Sequence, residues 1–299
     1  MTSDSQQVSR LAELAADRVT RDANFVELVA TYYGLVNDIY CAGWGESHHF
    51  PPFNGEATLQ EAQRAVERRL ADRAGLRPDM TALDVGSGVG GPARTIAAHS
   101  GAHVTGLDLS ALRVRQAREK AGEAGLAERT TFVEGDARNM PFPASTFDVA
   151  YSFQAICHVP DKTRVHTEIA RVLKPGGVSL GYDWLAREGL SAEETNRFIE
   201  PICRYHGLSH LSSPRELTDQ LRTAGFTGVR VSNAAGEGDL EPVWKILDEV
   251  NAMAGSEEIT PLLRFMLRGT LALCEAARAG HFLIGVWEAR KPTALPERR

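Results

Sequence analysis

Ala82-Leu-Asp-Val-Gly-Ser-Gly-Val-Gly-Gly-Pro-Ala-Arg94 decides the fold of this chain. An apolar strand runs into glycines and then into a helix. Glycines collect where a backbone must pass close to a ligand, because a β-carbon there would collide with it. Further on, His103-Val-Thr-Gly-Leu-Asp108 reads as a second strand ending in an acid. In a nucleotide-binding sheet such an acid takes the ribose hydroxyls of an adenosine. Gly86-Ser-Gly88-Val-Gly90 is G-x-G-x-G, not the G-x-G-x-x-G spacing that seats a pyrophosphate, and there is no G-x-x-x-x-G-K-[ST] loop. These features predict a ligand with an adenosine and no phosphates.

The 299 residues are 43% hydrophobic, enough for one large core with additions. Net charge is −6 with no basic block, which disfavours nucleic acid and anionic membrane as partners. With no run of 18 apolar residues and a polar N-terminus, the expectation is a cytoplasmic protein without integral membrane association. Cys41, Cys157, Cys203 and Cys274 are dispersed, so neither a zinc site nor a disulfide framework is expected. A homo-oligomer is compatible with all of this.

Strand and helix patterns alternate from Thr81 onward. Strands are predicted at Thr81–Val85, Ala102–Asp108, Thr131–Glu134, Phe147–Phe153 and Gly177–Trp184, with helices such as Leu112–Ala124 and Asp161–Leu173 between them. The expected fold class is α/β, a doubly wound, mostly parallel Rossmann-like sheet with an N-terminal helical lid and helical cap insertions. Four segments are drawn: 1–75, the lid; 76–186, the cofactor-binding core; 187–280, cap insertions around strand six; 281–299, the last strand and a frayed tail. Asn24–Tyr40 has helical apolar spacing, and Thr58 reads as the N-cap of a helix stopped by Gly75. Arg187–Ser213 and Leu240–Ala279 read as helical. Phe226–Val231 and His281–Ala289 read as the last two strands, in a terminal antiparallel hairpin.

The D-x-G-x-G motif resembles motif I of the class I methyltransferases, and S-adenosylmethionine fits the predicted ligand. Phe142-Pro143 before Thr146-Phe-Asp148, and Arg171-Val-Leu-Lys-Pro-Gly-Gly177, are similar to later motifs of that class. The match narrows at the front. Tyr33-Gly-Leu-Val-Asn-Asp-Ile-Tyr40, Gly43-Trp-Gly-Glu-Ser-His-His-Phe50, Gln154-Ala-Ile-Cys-His-Val-Pro-Asp161 and Tyr182-Asp-Trp184 resemble, in order, motifs of the sterol side-chain methyltransferases. Two residues depart from that pattern: Gln154 stands for a glutamate, and Asp183 is one methylene shorter than the family's glutamate. The likeness fades after Trp184. With it, the cofactor residues read as Tyr33, Gly86, Ser87, Gly88, Asp108, Leu109, Asp136, Ala137 and Phe153, and the Gly43–Phe53 loop reads as a lid over the methionine end.

The resemblance implies methylation of an alkene carbon in an isoprenoid or other lipophilic small molecule, through a carbocation and in secondary metabolism. Such chemistry needs π faces around the cation and a base that does not itself capture the methyl. His158, Asp183 and Gln154 are the catalytic candidates, with His48 and His49 as further bases; no metal is assigned. Arg187, Arg197, Arg204 and His206 are of the kind that clamps a diphosphate and equally of the kind that lines a solvated helix face. Two alternatives stay open: an O- or N-methyltransferase on the same scaffold, and a methyltransferase-like cyclase.

Overall fold

A computed structural model describes residues 3–252 and 259–293. Seven strands form one sheet: β1 (Thr81–Val85), β2 (His103–Asp108), β3 (Thr130–Glu134), β4 (Phe147–Phe153), β5 (Leu173–Ala186), β6 (Thr227–Asn233) and β7 (Phe282–Arg290). Their order is β3-β2-β1-β4-β5-β7-β6. The first five run parallel, and β7 is antiparallel to both of its neighbours. Strand order reverses between β1 and β4, which opens a cleft at the carboxyl ends of those strands.

The central strands carry apolar residues on both faces because both faces are covered. Ala82, Val104 and Val149 pack on one side with α4 (Leu59–Ala74), α5 (Gly91–Ser100) and α6 (Ala111–Glu123). Leu83, Leu107 and Ala150 pack on the other with α7 (Lys162–Val172) and α10 (Pro214–Thr223). A third cluster joins α1 (Ser3–Leu14) and α3 (Phe25–Gly43) to α12 (Pro261–Arg278) through Leu11, Leu28, Tyr32 and Phe265. The short α2 (Arg18–Ala23) precedes α3, and α11 (Glu241–Ala252) precedes α12. Thr58 caps α4 in a reciprocal capping box with Glu61, and Gly75 ends it at φ 65°.

Three expectations differ in detail. β5 begins at Leu173 rather than Gly177, because Leu173 pairs with Phe147 ahead of a register shift. In the cap, helix covers only α8 (Ala192–Glu194), a π turn at Thr195–Ile199 and α9 (Glu200–His206). Pro201 has no N–H to give a regular helix; the Glu200 N–H instead reaches back to the Thr195 carbonyl. β6 and β7 are antiparallel neighbours, but α11 and α12 lie between them in sequence, so they are not a hairpin. Residues 253–258 of the expected helical addition and 294–299 of the expected tail lie outside the described residues. No helix among the described residues is long and apolar enough to cross a membrane.

Candidate active site

The cleft between β1 and β4 opens into a cavity. Its walls bring together Tyr33, Gly86, Ser87, Gly88, Asp108, Leu109, Asp136, Ala137 and Phe153, with Gln154 and His158. Gly88 has φ 57°, and a β-carbon there would fall 2.4 Å from an Arg113 terminal nitrogen. Asp108 is held by two backbone donors: Gly88 N–H to Oδ2 at 2.8 Å and Ser110 N–H to Oδ1 at 2.9 Å. Each oxygen keeps a free lone pair for a ribose hydroxyl. Asp136 is more heavily engaged. Arg138 donates Nε and a terminal nitrogen to it at 2.6–3.1 Å, and the Arg138 backbone N–H adds another bond at 2.8 Å. The cradle and the acid suit the adenosine of S-adenosylmethionine.

A second cavity adjoins the first. Tyr33, His48, Gln154 and His158 line both. The second is walled by Tyr32, Tyr40, Trp44, Phe50, Cys157, Trp184, His206, Leu247, Thr270 and Leu273. Trp44 and Phe50 have ring centroids 5.3 Å apart, and Phe50 stacks on Trp184 at 5.2 Å.

At the junction, the Tyr33 hydroxyl lies 2.9 Å from His158 Nε2, and His158 Nδ1 lies 3.1 Å from the Gly207 carbonyl. A carbonyl only accepts, which assigns the ring proton to Nδ1. Nε2 therefore accepts from Tyr33. Burial, with Arg113 adding to it, pushes His158 down to about 3, so the ring is neutral at physiological pH. Burial pushes the Tyr33 phenol up.

Gln154 has φ 51°, a left-handed conformation that a non-glycine residue rarely adopts and that marks strain at functional sites. Its Oε1 accepts from the Phe50 N–H at 3.0 Å and from Trp184 Nε1 at 2.7 Å. Its Nε2 donates to the Phe50 carbonyl at 3.2 Å. A glutamate at this position has no donor for that carbonyl, so the departure from the family pattern answers the local geometry. Asp183 lines neither cavity. Its carboxylate accepts from the Trp184 N–H at 2.9 Å and faces the Cys157 thiol. Burial raises it to about 6, against the pull of Cys157, Trp184 and Lys162.

The loop at residues 44–53 is already closed. Ser47, His49 and Phe50 are buried. Gln63 donates to the Ser47 and His49 carbonyls, and Glu46 pairs with Arg94 and Lys120. His49 lies 3.0 Å from Glu67 and stacks on Phe153 at 4.6 Å. Limited proteolysis without ligand is expected to spare this loop. Cleavage there at the rate of an exposed loop would contradict the closed arrangement.

Arg113 escaped the sequence reading. It is buried, sits 4.1 Å over the Tyr33 ring, donates to His48 Nδ1 at 3.1 Å, and lies 3.8 Å from Asp108. Its Nε has no hydrogen-bond partner among the described residues. The available signal was spacing: Arg113, Ala117 and Ala121 repeat every four residues on the buried face of α6. The cap arginines Arg187, Arg197 and Arg204 are exposed and line neither cavity; of that group only His206 lines the chamber.

Residues 83–180 match a family model described as a methyltransferase domain. The chain is 34% identical over 281 residues to sterol 24-C-methyltransferase ERG6B of Gibberella zeae, an alignment spanning 93% of this chain and 72% of that protein. It is similar in structure to the [4+2]-cyclase SpnF, with TM-score 0.73, 26% identity, and coverage of 89% of this chain and 96% of that one. The geranyl diphosphate C-methyltransferase from Streptomyces coelicolor A3(2) superposes with TM-score 0.69, covering 89% and 97%; at 18% identity the likeness is one of fold. The chain belongs to the sterol C-methyltransferase family, within the class I methyltransferases that use S-adenosylmethionine.

Proposed function

We propose that the chain methylates an alkene carbon of an uncharged, lipophilic isoprenoid. The observation that carries this reading is the second cavity. It has aromatic walls, contains no lysine, arginine, aspartate or glutamate among its described lining residues, and meets the cofactor cavity at the Tyr33–His158 pair.

The cofactor supplies an electrophilic methyl group. In the reading proposed here, Asp108 holds the ribose, and Arg113 holds the methionine carboxylate, the one anion on that molecule. Without such a partner, a guanidinium beside a sulfonium would be repelled. The π faces of Trp44, Phe50 and Trp184 lower the energy of the carbocation left on the acceptor. Gln154 fixes the Trp184 indole by accepting from its Nε1. The quench runs through the pair at the junction. A C–H bond beside the cationic carbon breaks, its electrons form the new alkene, and the proton goes to the Tyr33 oxygen as the Tyr33 proton moves to His158 Nε2. Neither group is a competing nucleophile. The imidazole lone pair is covered by the phenol O–H, and the phenol is neutral.

A cyclase reading draws on the likeness to SpnF. Incubation with methyl-labelled cofactor separates the two. The proposed activity releases S-adenosylhomocysteine and labels uncharged prenyl alcohols, sterols or prenylated aromatics. Label confined to prenyl diphosphates, or conversion of acceptor without label, would contradict it.

A further inference from the structure

We infer that Trp244 is the length stop of the aromatic chamber: with Phe282 it closes the wall behind Phe50 and Trp184 and limits how long an isoprenoid acceptor can be. The inference rests on the function proposed above for the same cavity.

Four rings form a closed circuit. Phe50 stacks on Trp184 at 5.2 Å between centroids, and Trp184 meets Phe282 edge-on at 5.5 Å. Phe282 meets Trp244 edge-on at 6.1 Å, and Trp244 returns to Phe50 at 5.8 Å. Such offset and edge-on contacts are the favoured arrangements of aromatic rings. Phe50 and Trp184 line the chamber. Trp244 and Phe282 line instead a groove on the other side of the circuit. Both outer rings are buried, at 9% and 5% exposure. The circuit is therefore a partition between the two spaces.

The same two helices run past both. On α11, Leu247 lines the chamber, and Trp244, three residues earlier, lines the groove. On α12, Thr270 and Leu273 line the chamber, and Ala277, four residues later, lines the groove. Residues three and four apart are neighbours on one helix face. The groove thus lies one helical turn beyond the chamber along both helices, and the aromatic circuit divides one from the other. Leu240, Ala277 and Leu283 give the groove an apolar lining that suits a hydrocarbon tail.

The partition is held in place from the groove side. The Phe53 N–H donates to the Asp239 carbonyl at 2.8 Å, and the Asp239 N–H donates to the Phe53 carbonyl at 2.7 Å. A β-carbon at Gly238 would fall 2.3 Å from the Phe53 carbonyl oxygen, so glycine permits that approach. The loop that carries Phe50 is thereby pinned to the segment that leads into Trp244.

The test is a titration of the full chain, saturated with S-adenosylhomocysteine, with geraniol, farnesol and geranylgeraniol. Quenching of tryptophan fluorescence reports binding, since Trp44 and Trp184 line the chamber and stay in every variant. In the natural chain, affinity is expected to fall at least tenfold at one step of this series, where the tail meets the partition. Trp244→Ala is expected to move that fall at least one isoprene unit further, and Trp244→Leu to shift it in the same direction. Adding Ala277→Phe to Trp244→Ala refills the groove and is expected to restore the natural cut-off. S-adenosylhomocysteine affinity, read by calorimetry, reports that each variant is folded. No binding of geraniol by the natural chain, no fall along the series, or an unchanged cut-off in folded Trp244→Ala or Trp244→Leu would overturn the inference. A cut-off that moves as expected, without any carbon methylation, would overturn the proposed function and leave the length stop standing.

Discussion

His158→Ala is expected to lower turnover by about 10²-fold or more while S-adenosylhomocysteine still binds. In the proposed quench His158 Nε2 is the final proton acceptor, while its Nδ1 is tied to the Gly207 carbonyl. Tyr33→Phe removes the other half of the relay and is expected to cost a similar factor. The two changes should not add, because the groups act as one unit: the double variant is expected to turn over no more slowly than about threefold below either single one. Additive losses would show that Tyr33 and His158 serve separate steps. Asp183→Asn is expected to cost less than either, since Asp183 lines neither cavity and reaches the chamber only through its neighbours Cys157 and Trp184. The pH profile follows from the burial of His158. A histidine held near 3 is neutral across physiological pH, so it puts no acid limb near pH 6.5 on turnover. A limb there tracing to His158 would contradict a neutral relay.

Asp108→Ala is expected to weaken S-adenosylhomocysteine binding about tenfold or more, the loss of a charge-assisted hydrogen bond worth roughly 1.5–3 kcal/mol. Asp136→Ala is expected to cost less than threefold, because Arg138 already engages that carboxylate on both oxygens. Arg113→Gln discriminates between the two ends of the cofactor. It is expected to weaken S-adenosylhomocysteine by about tenfold and to leave 5′-methylthioadenosine, which lacks the carboxylate, within about threefold. Calorimetry on the three variants checks all of this. Equal losses for both ligands in Arg113→Gln would assign Arg113 to the ribose, and unchanged binding in Asp108→Ala would remove the adenosine assignment.

Much of the scaffold was legible because local rules and tertiary demands agree there. β1 and β4 have the bounds their apolar runs indicate, and Thr58 and Gly75 delimit α4 by capping chemistry alone. The glycine turn was readable because close backbone approach leaves glycine; that Asp108 is held by the Gly88 and Ser110 N–H groups appears only in the fold. Other features depend on what lies across a gap. Nothing local to Gln154 shows that its amide clamps the Phe50 backbone, a partner 104 positions away. Glycine and proline in the 44–53 loop suggested a moving lid. Gln63, Glu67, Arg94 and Lys120, from three different helices, hold it shut. The Tyr33–His158 pair was hidden in the same way: each residue was a separate candidate in the sequence, but their contact joins α3 to the turn at Ile156–His158 that follows β4. Arg138 sits two residues from Asp136, yet only the folded turn shows that it occupies that carboxylate.

The position of the transferred methyl tests the central claim most directly. The chain is incubated with cofactor bearing a trideuterated methyl group and with its acceptor, and the product is read by carbon and deuterium NMR. The account predicts the label on a former alkene carbon, with one proton lost from a neighbouring carbon. A label on oxygen or nitrogen, or a rearranged product carrying no label, would contradict it.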